Sequence, residues 1–283
     1  MAKLSKLRTP LLNSPFPSSP RSVHRLLLSL GIGILVSQPG SAADSFATDS
    51  GSLQIKPLVH ASVELEHQGL VLQIDPWGAL GTEAMQAADL IIVTDSPGHH
   101  LDTEAIAAIR KPGASVVTPA NGAAAIPDGI VMEIGDLLQI KSVTVEAIAA
   151  YDIIPGAPEH PRGDANGYVI TIGGKRLFFA GVTECVDEVR ALEDIDIAFM
   201  PMNIPVGRMT PEAAAECTQA IGPDVVYTYH YNQDWVRRLA NPDYPGSELP
   251  EGITVEESLD HFAEHLLGTG IEYRRADWYP EPR

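Results

Sequence analysis

The chain has 283 residues, 45% apolar and 20% charged, with 37 acidic against 19 basic side chains for a formal charge of −18. Length and apolar content suit one large domain with a buried core and exclude a disordered chain. The acidity argues against a nucleic-acid ligand, whose phosphates need Lys and Arg, although a need for solubility also accounts for it.

Residues 1–43 carry five Lys or Arg and no acid, then an apolar run at 26–36, then Gln38-Pro39-Gly40-Ser41-Ala42-Ala43. This order reads as a signal peptide, with the small residues Ser41 and Ala43 at −3 and −1 of a cleavage point. The apolar run is far shorter than the roughly 20 residues that span a bilayer. The expected organisation is therefore a signal peptide over 1–43 and a single domain over 44–283. The expected location is periplasmic or secreted, with no stable membrane insertion after cleavage. The long basic region leaves a retained anchor as the other reading. Loss of its five positive charges would take the formal charge from −18 to −23.

Strand-like runs follow at 53–59, 62–66, 70–75, 90–94, 115–118 and 143–149. A helix is predicted over 103–110, opened by Asp102 and Glu104 and closed by Pro112 and Gly113. In the second half, strands at 167–172 and 176–181 are joined by Gly173-Gly174, a two-residue hairpin signal. Buried strands are expected at 195–200 and 225–231. Between them Thr210 and Pro211 start a helix as N-cap and first residue, and Gly222 with Pro223 stops it. The tail adds a helix over 254–267, with Thr254 and Glu257 as a capping box and Gly268 as its stop, then a strand at 271–275. His261 and His265 share one face of that helix and read as surface. Segments 151–164 and 235–252 are rich in Pro and Gly and read as long loops, a pocket wall or an irregular surface excursion. Of the two cysteines, Cys217 is expected to be free and buried in a helix and Cys185 to lie near the candidate site. Export makes a disulfide chemically possible, but spacing alone does not bring the Cα atoms together.

The chemistry concentrates in Asp89-Leu-Ile-Ile-Val-Thr-Asp-Ser-Pro-Gly-His-His-Leu-Asp102, where a buried strand empties into a loop bearing Asp95, His99 and His100. Loops at the carboxyl ends of strands are where ligands and metals collect in layered α/β folds. A capping aspartate and two solvated histidines would leave the same letters.

The order of residues resembles the metallo-β-lactamase superfamily, whose first motif reads H-x-H-x-D-H, and more closely a branch reading T-D-x-H-G-D-H-L-D; here the letters are TDSPGHHLD. The likeness runs from about 53 to 230 and includes LVLQIDP, the hairpin NGYVITIGGKRLFFAG, the TPEAAAE helix and VVYTYHY. It implies an α/β fold, a four-layer αββα metallo-β-lactamase-like sandwich. It also implies site residues. Asp95 falls where most members have the first His, and the close branch also has Asp. Pro97 falls on the second His, and that ligand is lost. His99 takes the place of the family's Asp, and His100 matches its His. His160 and His230 occupy the places of the later histidines. Val182 stands where the family's bridging Asp belongs, and Glu184, two residues on, is a possible substitute ligand.

The resemblance thus leaves Asp95 and His160 on one half of the site, and His99, His100 and His230 on the other. Three imidazoles suffice for a catalytic zinc shell with an open position for water, so one zinc ion is expected rather than two. Asp95 would serve as ligand or general base. The expected function is an exported metal-dependent hydrolase of a small-molecule substrate, with a reduced, mononuclear site. The alternative is a catalytically inactive binding protein that keeps the fold after losing ligands at Pro97 and Val182.

Overall fold

A computed structural model describes residues 43–154, 159–203, 207–247 and 252–280. The signal-peptide reading falls almost entirely outside these residues. Among the described residues, no helix is long and apolar enough to cross a membrane.

Among the described residues, fourteen strands form two seven-stranded mixed sheets. The first runs in chain order: β1 (Asp44–Thr48), β2 (Gly51–Pro57), β3 (Val63–His67), β4 (Leu70–Ile74), β5 (Ala88–Ile92), β6 (Arg110–Thr118) and β7 (Ile130–Val131). The second contains β8 (Leu137–Ile140), β9 (Val143–Ala150), β10 (Ala165–Ile172), β11 (Lys175–Phe179), β12 (Ile197–Pro201), β13 (Val225–Tyr229) and β14 (Glu272–Arg274), in spatial order from β14 to β8. Helix α1 (Thr103–Ile109) covers the first sheet. Helices α2 (Asp187–Arg190), α3 (Pro211–Ile221), α4 (Gln233–Ala240) and α5 (Val255–His265) follow in the second half.

The layers follow from burial. Each inner sheet face is Val, Leu, Ile and Phe, and these side chains merge into one core that includes Leu53, Leu65, Leu72, Tyr168, Phe178 and Phe199. The central strands β12 and β13, Ile-Ala-Phe-Met-Pro and Val-Val-Tyr-Thr-Tyr, are buried at every position. Strands covered on both faces read as continuous apolar runs, and these two pair in parallel. Phe179, Phe199 and Tyr227 stack across β11, β12 and β13 at ring separations of 4.4 and 4.8 Å. On the other side of the first sheet, Ile106 and Ile109 of α1 pack with Ile91, Val93 and Val116. Ala214, Cys217 and Ile221 of α3 and Leu259 and Phe262 of α5 pack against the second sheet. The result is the expected four-layer αββα sandwich.

Local signals hold where the chemistry is local. Gly173 and Gly174 turn β10 into β11 with φ of 58° and 80°, as a tight hairpin requires. Thr210 caps α3, Gly222 ends it in the left-handed region, and Thr254 with Glu257 forms the capping box of α5. Three expectations are corrected. Pro112 and Gly113 do not close the helix: α1 ends at Ile109, β6 already begins at Arg110 and contains both residues, and its pairing with β5 shifts register between Ala88 and Leu90. Segment 235–252 is not irregular throughout, because Asn232 caps α4 through the Trp235 N–H and Asp234 and Trp235 are buried. Cys217 is not free: it is bonded to Cys185 with Cα atoms 5.6 Å apart. The turn after β11 packs onto α3, a proximity that spacing alone does not reveal.

Candidate metal centre

The carboxyl ends of β4, β5 and β13 meet at one end of the two sheets. Tyr229 fastens the second sheet there, its hydroxyl accepting the Gly181 N–H at 2.7 Å. Gly181 must be glycine: its φ is +67°, and a Cβ would lie 3.1 Å from the Asn166 carbonyl and 3.3 Å from the Thr94 side chain. Thr94 and Asp95 follow β5, His230 follows β13, and His60 lies in the turn between β2 and β3. A backbone bond from the His230 N–H to the His60 carbonyl, 3.1 Å, ties the two sheets together at this point.

Three non-glycine residues here adopt left-handed backbone: His60 (φ 57°), Asp75 (φ 43°) and His230 (φ 55°). Such conformations cost on the order of 1–3 kcal/mol each and persist only where the surroundings enforce them. Each lets a strand end abruptly with its polar side chain turned inward.

Four imidazoles converge. The ligand atoms of His60, His99, His100 and His230 all lie within 4.8 Å of one another, and all of these residues except His99 are fully buried. His100 Nε2 faces His230 Nε2 at 3.1 Å. Burial first, then the neighbouring imidazoles, pushes His60 and His230 well below the usual histidine range and takes His99 down to about 3. These rings are neutral at physiological pH, so each carries a lone pair. His60 Nε2 is buried with no hydrogen-bond partner among the described residues. A cluster of converging imidazoles, one of them with an orphaned buried nitrogen, suits a divalent metal.

Asp75 orients His100. Its Oδ2 lies 2.7 Å from His100 Nδ1, and its Oδ1 accepts the Thr94 N–H at 2.7 Å. That leaves His100 Nε2 for the cluster, in the carboxylate–imidazole arrangement typical of metal ligands. Asp75 ends the expected LVLQIDP strand, but the sequence reading gave it no role.

Asp95 and His160 fall together on the flank of the cluster rather than within it. His160 Nε2 lies 3.4 Å from Asp95 Oδ2 and its Nδ1 lies 3.5 Å from Asp152 Oδ2. Asp95 Oδ1 takes the Asn121 amide at 2.6 Å and the Ser96 N–H at 2.7 Å, while Oδ2 has no other partner. Burial opposes the charge on both members, but the carboxylates outweigh it and raise His160, while His160, His100 and Asn121 lower Asp95. Asp152, held by Arg208, is a third member that the sequence reading passed over.

Two further positions are occupied differently from expectation. Glu184 is buried, and its Oε2 accepts the backbone N–H groups of Ile153 and Ile154, so the carboxylate is committed to the 151–154 segment. Cys185 is in the disulfide, so its sulfur is no metal ligand. Val182 packs with Ala150 and Ala165, an apolar contact where a bridging carboxylate would need charge partners. The Pro97 carbonyl accepts the His100 and Leu101 N–H groups at 2.8 Å, so Pro97 shapes the loop and supplies no ligand. Trp77 stands 6.1 Å from the His99 ring and 6.3 Å from the Trp235 ring, giving the site an aromatic wall.

A family model described as a β-lactamase superfamily domain matches residues 54–230. A metal-dependent hydrolase of Thermus thermophilus is 27% identical over 195 residues, 64% of this chain and 84% of that protein. One from Symbiobacterium thermophilum is 31% identical over 198 residues, 63% and 84% of the two chains. Among solved structures, a candidate metal-dependent hydrolase from Parabacteroides distasonis superposes with a TM-score of 0.71 at 31% identity, covering 84% of this chain and 99% of that one.

Proposed function

The chain belongs to the β-lactamase superfamily, and from that membership we propose that it is a metal-dependent hydrolase acting on a small molecule at the histidine cluster. The observation that carries the reading is the convergence of His99, His100 and His230, the last two buried, beside an Asp95–His160 pair. The hydrolase names of its relatives, at 27–31% identity, point the same way.

His99, His100 and His230 would hold one ion, zinc being among the ions that an imidazole shell suits. The bound ion would supply positive charge and Lewis acidity to an oxygen nucleophile and to the polarised bond of the substrate. This chain's residues do the rest. Asp75 fixes the His100 tautomer. Asp95, with Oδ1 held by Asn121 and Ser96 and Oδ2 facing His160, is the general base. His160, between Asp95 and Asp152, takes up positive charge and hands a proton to the leaving group. Trp77 and Trp235 exclude water from the His99 side. One ion is proposed rather than two, because Asp95 and His160 alone lack the charge to hold a second and Val182 offers nothing.

Export is part of the proposal, supported by the leader-like residues 1–43 and by the Cys185–Cys217 disulfide, which persists in oxidising compartments. The acidic balance supports a neutral or cationic substrate over a nucleic acid. A panel of esters, lactones and amides tests the reading. Turnover of at least one class is expected, abolished by chelator, restored by one equivalent of zinc and absent in His230→Ala. Failure of every class to show chelator-sensitive turnover contradicts it and favours a binding protein on the same scaffold.

A further inference from the structure

His60 lies outside every position that the superfamily resemblance matched, yet its ring belongs to the cluster. We propose that His60 is a fourth ligand of the same metal ion, making up for the imidazole lost at Pro97, and that Tyr279 sets the tautomer in which it binds. The proposal rests on the metal-centre reading above.

The geometry has three parts. His60 is fully buried, its ring centroid lies 4.0 Å from that of His230 and 5.0 Å from that of His99, and its ligand atom is among the four that share a 4.8 Å neighbourhood. Its two ring nitrogens have different surroundings. Nδ1 lies 2.9 Å from the Tyr279 hydroxyl, whereas Nε2 is buried with no partner among the described residues. A buried imidazole nitrogen with nothing to bond is rare unless a ligand completes it. Lastly, the phenol oxygen of Tyr279 also accepts the Asn232 N–H, at 3.2 Å. In the proposed tautomer the Nδ1–H of His60 is donated to this oxygen, which leaves the Nε2 lone pair for the metal. Metal-ligating histidines are ordinarily fixed this way, by donation of the other ring N–H to a nearby acceptor.

The backbone is built for this placement. The left-handed turn at His60 is held by its own N–H to the Trp278 carbonyl at 3.3 Å and by its carbonyl to the His230 N–H at 3.1 Å. Trp278 is itself fully buried, and Trp235 Nε1 donates to the Pro280 carbonyl at 3.2 Å. The segment after β14 is thereby a strap that fixes both His60 and the loop after His230. In the first sheet, Pro97 gives up an imidazole on the β5 loop; the β2–β3 turn restores one. Four nitrogen donors leave substrate and nucleophile to a fifth position, and they favour ions that accept nitrogen-rich shells.

The test uses the full chain, stripped of metal and loaded with Co(II). X-ray absorption of the wild type is expected to give four imidazoles around the ion; three would overturn the proposal. Chelator competition should show His60→Gln binding Co(II) at least tenfold more weakly, with an altered visible spectrum. Tyr279→Phe should weaken binding by about 10–100-fold, the scale of an outer ligand's partner, and leave the spectrum close to wild type. Exposed His265→Ala should change nothing. Equal affinity and spectrum in His60→Gln would overturn the proposal and leave the three-histidine reading standing. No Co(II) uptake by the wild type would overturn both. Should His60→Gln not fold, the wild-type absorption measurement decides alone.

Discussion

Replacing Asp75 by Asn changes one atom in the carboxylate that holds His100, and the consequence can be worked through. Asp75 and His100 are both buried, and Oδ2 accepts from Nδ1 at 2.7 Å. The amide keeps an oxygen for the Thr94 N–H but turns an NH2 donor towards His100 Nδ1, where a donor already stands. The imidazole must then move its proton to Nε2, the atom that faces His230 Nε2 at 3.1 Å and the metal position. Loss of a hydrogen bond to a charged group costs about 1.5–3 kcal/mol. Loss of an outer partner of a metal ligand typically costs 10–100-fold in affinity, about 1.4–2.7 kcal/mol at 1.36 kcal/mol per decade. The two estimates agree. Zinc affinity of Asp75→Asn should therefore fall by one to two orders of magnitude in chelator competition, while Thr94→Val, which spares the carboxylate, should fall by less. Wild-type affinity in a folded Asp75→Asn protein would refute the orienting role.

Other outcomes follow from the same structure. Reduction of Cys185–Cys217, whose partners lie 32 residues apart, should lower unfolding stability by about 3–4 kcal/mol on a loop-entropy estimate; a change under about 1 kcal/mol in urea titrations of a Cys185→Ser/Cys217→Ser variant would contradict it. Asp89 sits between Lys111 and Lys141 at 2.6 and 2.7 Å, and despite burial these amines hold its carboxyl well below the usual range. A folded pKa below the unfolded one contributes stability above about pH 4 and loses it as pH falls further. The stability gap between wild type and Asp89→Asn should therefore narrow between pH 5 and about pH 3, and a gap constant across that range would show the pair contributes nothing. Val182 lines a small cavity with Asp152, Arg208 and His230. Val182→Asp should raise metal content from one ion per chain towards two, with Asp95 and His160 as partners; content unchanged at one would show that the flank cannot hold a second ion.

Most of the fold was legible because it is written in local patterns. Apolar runs such as Ile197–Pro201, the Gly173-Gly174 turn and the Thr210-Pro211 start each specify an element without help from the rest of the chain. His99, His100 and His230 were legible because each sits where a strand or its loop ends, in letters that resemble a known motif. His60 was not, since it lies in Val59-His60-Ala61 between two strands with no motif around it. A lone histidine in a turn between two predicted strands was the one available signal. Its meaning comes from the pairing of its carbonyl with His230, 170 positions along the chain. Tyr279 and Asp152 were hidden for the same reason, because each acts through contacts that only the closed sandwich creates. The disulfide depends on how the turn after β11 meets α3, and Glu184 on where the 151–154 backbone passes. Short edge strands such as β1 and β7 carry too few residues for a periodic signal.

Every role assigned above depends on a metal ion in the histidine cluster. Elemental mass spectrometry would be run on the protein purified without a His tag or chelator, beside a His100→Ala/His230→Ala variant. About one zinc ion per chain is expected in the wild type and none in the variant, with both proteins folded. A folded wild type without metal, or a variant that keeps its ion, would contradict it.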